Sequence, residues 1–360
     1  MGKGVVKHQL LNPNWRTSKR HLLHHSKFLV RYSIFFFLSL PALAQTGGHH
    51  TFDFLNLNPS TPVTAWGGVQ AAAPTDSGAV NDVHRFLSNP ALNNEHLDQQ
   101  VSFSFRPYLA DVKLATVSYS HAVENLGQFG ASVAYLDYGD FAGFDPAGLP
   151  TGDFSASAYV VTLNYAHQMA PFRLGGNLKV ATSAIAGLSA TALLLDLGGV
   201  YQHPTQDLTV GLTITNLGVL VRDYLSGIES RLPSDVRVGA AFKPRHMPFR
   251  FHLTAYRLWY SDLTEPTAAP DEGVARRIAR HLSLGGALLL GKNFEVYGGY
   301  NHSVRSSLQL QQIGGGAGLS FGFMFRTRTV RVDFSRSVYH VSGAFNQFSL
   351  SADVQQLFFK

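Results

Sequence analysis

The sequence predicts an all-β fold: an antiparallel transmembrane β-barrel of about 14 strands with an N-terminal plug segment. Three observations carry that prediction. From about residue 100 onward, apolar and polar residues alternate with a period of two, as on a strand with two unlike faces. The alternating segments approach the ~9–11 residues that a tilted strand needs to cross a bilayer. Their connections alternate between tight and long, which describes a bacterial barrel with short turns on one rim and long loops on the other.

The chain opens with residues 1–44, which hold seven Lys or Arg, no acidic residue and one apolar stretch, Ile34–Leu40. They end Ala42-Leu43-Ala44 before Gln45, so a basic region, an apolar core and a small-x-small site spell a secretory signal peptide cleaved between Ala44 and Gln45. At 44 residues the leader exceeds the usual ~15–30, which points to a start codon further in. Without the leader, 22 basic residues face 23 acidic ones, so the high isoelectric point belongs to the part that is removed. That excludes a basic protein seeking nucleic acid. There is no Cys, so neither disulfides nor a lipid anchor are expected. Mean hydropathy is +0.01. With no run of ~18 apolar residues, spanning helices are not expected.

Residues 45–98 differ in kind. Gly47-Gly48, Ala65-Trp66-Gly67-Gly68, Ala71–Ala73 and Leu87-Ser88-Asn89-Pro90-Ala91-Leu92 are small residues and turn formers without a two-residue period. They suggest a plug or hatch in the barrel mouth or lumen. A disordered periplasmic tail is the alternative, and Phe52, Phe54, Leu55 and Trp66 speak against it, because a solvated tail has little use for large apolar side chains.

Residues 99–360 supply the barrel. Val330, Val332 and Phe334 oppose Arg331, Asp333 and Ser335; Leu319, Phe321, Phe323 and Phe325 oppose Ser320, Gly322, Met324 and Arg326. At the C-terminus Phe348, Leu350, Ala352 and Val354 oppose Ser349, Ser351, Asp353 and Gln355. A soluble sandwich also alternates; strand length and the closure that lipid demands favour the barrel. Tight links are expected at 168–171, 203–206, 243–246, 290–293 and 326–328, and long ones at 139–155, 218–234, 261–280 and 303–312. Tyr135, Tyr138, Tyr165, Tyr201, Tyr260, Tyr300 and Phe358 fit interfacial girdles. Within the third long link, Asp271–Leu282 has the helical spacing Val274, Ile278, Leu282 and carries Arg276, Arg277 and Arg280. It reads as a solvated face or as a contact with anionic lipopolysaccharide.

Signals for chemistry are weak. His49-His50 follow the cleavage site without further metal ligands at useful spacing, and no cofactor is indicated. Gly314–Gly318 lacks the Lys-Ser/Thr of a phosphate loop and falls in a strand pattern. No spacing nominates a nucleophile and base, so catalysis is not expected. Lys113, Lys179, Arg237, Arg250, Glu295, Arg331 and Asp333 are expected in the lumen, where they would either line a pore or pair and close it.

Several stretches, in order, resemble the PorQ family of the Bacteroidetes type IX secretion system, which belongs with PorV- and FadL-like outer-membrane barrels. They are Gly47–Leu57 (GGHHTFDFLNL), Ala65-Trp66-Gly67-Gly68, Asn89-Pro90-Ala91-Leu92, Pro107–Leu114, Met247–Thr254 and Ser337–Leu350. The resemblance spans the chain after the leader. It implies a FadL-like barrel of about 14 strands that holds PorZ at the surface. With the sortase PorU and with PorV, that complex would attach exported cargo to lipopolysaccharide. The terminal Lys360 departs from the terminal aromatic of many barrels.

Physics alone reaches only a plugged outer-membrane barrel. A non-enzymatic scaffold with aromatic-bearing loops (Phe141, Phe144, Tyr224, Trp259) is the expectation that the resemblance favours. The alternatives are a FadL-like transporter of hydrophobic small molecules, with an apolar pocket beside the plug and a kinked strand, and a general porin.

Overall fold

The computed structural model describes residues 52–74, 80–108, 111–225, 231–259, 273–308, 316–340 and 343–358. Ala44, Gln45, His49, His50, Tyr260, Gly314 and Gly315 lie outside them. Fourteen antiparallel strands close into one ring, each bonded to its sequence neighbours, with the first beside the last. They are β1 Gln100–Pro107, β2 Lys113–Val123, β3 Gly127–Phe144, β4 Pro150–Met169, β5 Phe172–Ile185, β6 Leu188–Gln202 and β7 Asp207–Arg222. The second half is β8 Asp235–Lys243, β9 Phe249–Ala255, β10 Leu282–Leu289, β11 Phe294–Asn301, β12 Leu319–Arg326, β13 Val330–His340 and β14 Gly343–Asp353. Closure leaves no sheet edge facing lipid, which is the condition for a strand protein to live in a bilayer.

The alternation sorts residues as expected. On β12, Phe321, Phe323 and Phe325 are 41–50% exposed while Ser320, Gly322 and Met324 are buried. Outward Phe129 and Tyr165 are cross-strand partners near one rim, and outward Tyr135 and Tyr159 are partners six residues further along. At ~3.3 Å per residue the two aromatic rows stand roughly 20 Å apart, close to the height of an apolar membrane band.

The expected tight links all join strands at the rim where β1 begins and β14 ends, together with a further one at Glu124–Leu126. The opposite rim is less regular than the sequence suggests. Ala186 and Gly187 alone connect β5 to β6, with φ of +49° and +80°, so a short turn stands where strict alternation calls for a loop. The link expected at 139–155 is mostly strand: Asp140–Phe144 pair with Pro150–Ser155. Of the three remaining long links, that expected at 218–234 starts later, because β7 runs on to Arg222, and the described parts of the other two include short helices at Val274–Arg280 and His302–Leu308.

Three further expectations need correction. Tyr138 lies within a bulge between Asp137 and Asp140, where Gly139 has φ +83°, and it packs against the inward cluster of Leu114, Leu136 and Ala158 rather than in a girdle. The final strand stops at Asp353, so Val354, Gln355 and Phe358 belong to a terminal helix, Val354–Phe358. Gly316 and Gly318 lie just before β12 rather than within a strand, and Gly318 adopts φ +82°.

Wall height is uneven. β3 and β4 have 18 and 20 residues, β5–β7 have 14–16, and β8–β12 have only 7–9. Since about 9–11 residues cross the membrane, nearly half of β4 stands outside it.

Val161 lies on the outward face of β4 between the Tyr165 and Tyr159 rows. Val161→Arg is expected to destabilise the barrel by about 2–4 kcal/mol, while the inward Thr162→Ser leaves it within about 0.5 kcal/mol. Equilibrium denaturant unfolding in lipid vesicles measures both.

Candidate functional site

A barrel of fourteen strands is wider than its own side chains can fill, and here residues 52–74 and 80–98 occupy the space. Their backbone follows short local signals. Ser60 caps a five-residue helix, Thr61–Ala65, which carries Pro62 in its first turn and ends at Gly67 and Gly68, with φ +97° and +87°. Asp82, Asn89 and Asn94 cap single 3₁₀ turns in the same way, each accepting a backbone N–H two residues on. So compact a chain can be laid against a wall.

The wall has been made bare to receive it. A Cβ on Gly175 would stand 2.6 Å from the Pro90 carbonyl carbon, and one on Gly285 would stand 2.5 Å from the Trp66 Cβ. Added at Gly198, Gly211 or Gly299, it would likewise collide with Asn89, Ala71 or Gly67. These inward glycines form a cradle for the plug backbone. Trp66 then stacks on His252 at 4.0 Å and meets Tyr297 edge-on at 5.1 Å.

Polar groups at the seam are linked in series. Gln128 donates to Ser120 (2.8 Å), Ser120 to Asn93 of the plug (2.6 Å), and Asn93 to Asn164 (2.7 Å). Asn164 donates to Asn177 (2.7 Å) and Asn177 to Asp196 (2.9 Å), which also holds Lys179 at 2.5 Å. The Asn216 N–H closes the run on the other Asp196 oxygen at 2.8 Å. That residue sits at a bulge with φ +59°. Asn89 and Arg106 supply parallel ties, Arg106 donating to Thr64 and Gln347 and to the Asn58 carbonyl.

Of the ions expected in the lumen, Lys179, Arg237, Arg250, Glu295, Arg331 and Asp333 are there, and each is paired. Arg331 grips Asp333 through Nε and Nη2 at 2.9 and 2.8 Å, both side chains being buried. Lys113 is the exception. The inward residues of β2 are Leu114, Thr116, Ser118 and Ser120, so parity turns Lys113 outward at the rim, opposite Asp137. There its chain reaches headgroups or water. The ions thus close the interior instead of lining a pore.

Two hollows remain. At the mouth, a cavity of about 290 Å³ is bounded by Asn56–Asn58, Thr64, Gly67–Val69, Arg106, Asp235, Arg237, Tyr256, Arg257, Tyr339 and Phe345, among others. Arg106 presents a guanidinium whose bonds all go to neutral groups, and the Asp235 Oδ1 is buried without a partner. A crevice of about 70 Å³ runs between plug residues Phe54–Pro59 and Leu87 and wall residues Leu114, Ala134, Val160 and Thr162. Asn56, Leu57, Asn58 and Arg237 border both hollows. Among the described residues no cluster of three or more metal-ligating side chains occurs. Sequence reasoning anticipated the plug, but the cavity-lining Arg106, Asp235 and Tyr256 carried no local motif that could have marked them.

No known family's sequence profile matches the chain, and no curated protein does. Solved structures do. A deltaS2 mutant of the monoaromatic hydrocarbon channel TodX aligns with TM-score 0.52 and 13% identity, covering 82% of this chain and 98% of that one. The Pseudomonas putida toluene transporter TodX itself gives 0.50 and 11% over the same shares. A Pseudomonas aeruginosa FadL homologue gives 0.43 and 10%, over 83% and 98%. What this likeness shows is the fold, a closed barrel of fourteen antiparallel strands.

Two expected outcomes follow from the seam. Asp333→Asn leaves the Arg331 charge buried with a weaker partner, and a loss of about 3–5 kcal/mol is expected, with Arg331→Met/Asp333→Leu recovering most of it. The temperature at which the barrel loses its compact mobility in detergent gels reads this directly. His84, in the plug, donates to or accepts from Ser118 at 2.8 Å, and burial pushes its pKa below the ordinary value, opposed by Asp82. Its neutral form is therefore the one that fits. The seat is fully stable above the ordinary His range near pH ~6.5 and weakens as pH falls from there towards the lowered value. Protease nicking of the plug is expected to rise between about pH 7 and 5, and His84→Gln is expected to flatten that rise.

Proposed function

We propose that the protein is an outer-membrane transporter for small hydrophobic molecules that carry a polar group. The observation that carries this reading is the partly apolar crevice beside the plug, bordered by residues that also border the mouth cavity. The mouth volume of about 290 Å³ falls at the lower end of small-molecule sites. Its guanidinium groups and Asp235 take the polar end of a guest; Phe54, Leu55, Leu57, Ala134 and Val160 take the apolar end. The resemblance in fold to a hydrocarbon channel and a toluene transporter supports the same reading. Because all fourteen strands are bonded around the ring, passage onward requires the plug to shift.

In liposomes bearing the protein, uptake of a fluorescent naphthylamine is expected to exceed that of empty liposomes. Ala134→Phe, which fills the crevice, is expected to lower that excess at least about tenfold without unfolding the barrel. Equal uptake with and without the protein overturns the reading.

A second reading is the surface scaffold of a type IX attachment complex, with PorZ, PorU and PorV as partners and lipopolysaccharide as the cargo's anchor. Favouring it is the height of β3 and β4, which stand far beyond what a bilayer needs. In cells lacking the gene, cargo released into the medium with an intact outer membrane supports the scaffold; retained cargo counts against it.

A further inference from the structure

A lone two-stranded ribbon rises from the outer rim. β3 pairs with β2 only as far as Asp137, opposite Lys113, and β4 pairs with β5 only as far as Ala156, opposite Ile185. Beyond those points Asp140–Phe144 and Pro150–Ser155 pair with each other, and their one further backbone bond among the described residues runs from the Ala186 N–H to the Ser155 carbonyl at 3.4 Å, at the root of the β4 edge. Among the described residues the β3 edge therefore presents backbone N–H and C=O groups to water. A two-stranded ribbon without a third strand is marginal in water. This one also exposes Phe141 (42%), Phe144 (63%) and Leu149 (64%). Its turn is nevertheless set locally: the Asp145 carboxylate accepts the N–H of Ala147 at 2.9 Å and of Leu149 at 2.8 Å. The ribbon is thus held in shape while its surfaces stay open.

The two faces differ in chemistry. Phe154 continues the inward row of Ala156 and Ala158 and stacks on Phe141, with ring centroids 5.4 Å apart and planes at 20°. The other face carries Asp140, Ala142, Asp153 and Ser155. From Asp137 to Ser155 the chain has four Asp and no Lys, Arg or His. We propose that the β3 edge of this ribbon docks an extended, basic segment of a protein outside the cell, added as a further strand. Apolar side chains on that segment would continue the Phe141–Phe154 face. Alternate Lys or Arg side chains would meet Asp140 and Asp153. The proposal rests on the second reading, that the outer rim docks a protein.

Charge decides between occupants. The connecting segments 226–230 and 260–272 hold Glu229, Asp262, Glu265, Asp271 and Glu272 and no basic residue, so their charge does not complement the ribbon. A second copy brings an equally acidic ribbon, and β3 of two copies in one membrane would run parallel with like charges apposed. Anionic lipopolysaccharide is repelled by the same carboxylates.

The test uses the full chain in phosphatidylcholine nanodiscs and a short alternating Lys–Val peptide. The peptide is expected to bind the intact protein, and an alternating Glu–Val peptide is not. N-methylating the Lys–Val peptide along one edge is expected to weaken binding at least about tenfold, since the backbone bonds are lost while the charge remains. Joining Asp140 to Ser155 by Asn-Gly is expected to abolish binding while naphthylamine uptake persists, which shows the barrel intact. Asp140→Asn with Asp153→Asn is expected to reduce both affinity and its dependence on salt. Equal binding by the trimmed protein or equal binding of the N-methylated peptide each overturns the proposal. If the trimmed protein still retains cargo in cells where gene loss releases it, the ribbon is wrong and the scaffold stands. If gene loss releases nothing yet the peptide binds the ribbon, the scaffold is wrong and the docking edge stands.

Discussion

The approach of the plug backbone to bare glycine positions on the inner wall is the constraint on which the rest of the structure depends. A ring of fourteen strands encloses more space than its inward side chains fill, and water left there would make an open channel. Gly175, Gly198, Gly211, Gly285 and Gly299 give up side chains so that Pro90, Asn89, Ala71, Trp66 and Gly67 can lie directly on the sheet. Once the backbone is that close, its polar groups lose access to water and must bond to the wall. The long relay from Gln128 through Asn93 to Asp196 follows from that requirement, as does the pairing of each interior ion.

Those pairs are also why the seam behaves as a single unit. A half-satisfied network in a low-dielectric interior costs more than an apolar one, so removing one member exposes the rest. Arg331 illustrates the point: its two bonds to Asp333 make a buried guanidinium tolerable, and a third reaches Tyr297, which also packs on Trp66. Wall strand, ion pair and plug helix are thereby coupled. Any passage of a guest past the plug has to loosen this unit, and the least constrained place is beside Phe54–Asn58, where the crevice already separates plug from wall.

Much of the barrel was legible in the sequence, because lipid on one side and packed polar groups on the other impose a strict period of two. The outward phenylalanines of β12 and the inward Arg331 and Asp333 of β13 could be placed from parity alone. Parity misleads wherever a single residue is out of step. Lys113 reads as interior until β2 is anchored on Leu114, and Tyr138 reads as a girdle residue until β3 is anchored on the inward Leu136, whose parity it shares. The segment 139–155 looks like a loop because its glycines and prolines hide a strand pairing whose apolar face consists of only two rings. The plug's presence showed in Trp66 and its small residues. Its seats did not, since an inward glycine looks the same in sequence whether it lines water or touches another backbone. Arg106 and Asp235 meet only through closure of the ring, which no local pattern encodes.

Height separates the two roles proposed for the molecule. Side chains proposed to meet a small guest line the two hollows. The ribbon of β3 and β4 lies beyond the strands that flank it and contributes no residue to either lining. A strand added at that edge would extend the inward Phe141–Phe154 face towards the mouth without displacing any bond of the seam. Docking and transport therefore draw on different free energies: backbone pairing at an exposed edge in one case, transfer of apolar surface into a crevice in the other. Because salt screens the attraction of the ribbon's carboxylates for a basic segment and leaves apolar transfer nearly untouched, the two roles are separable in one protein.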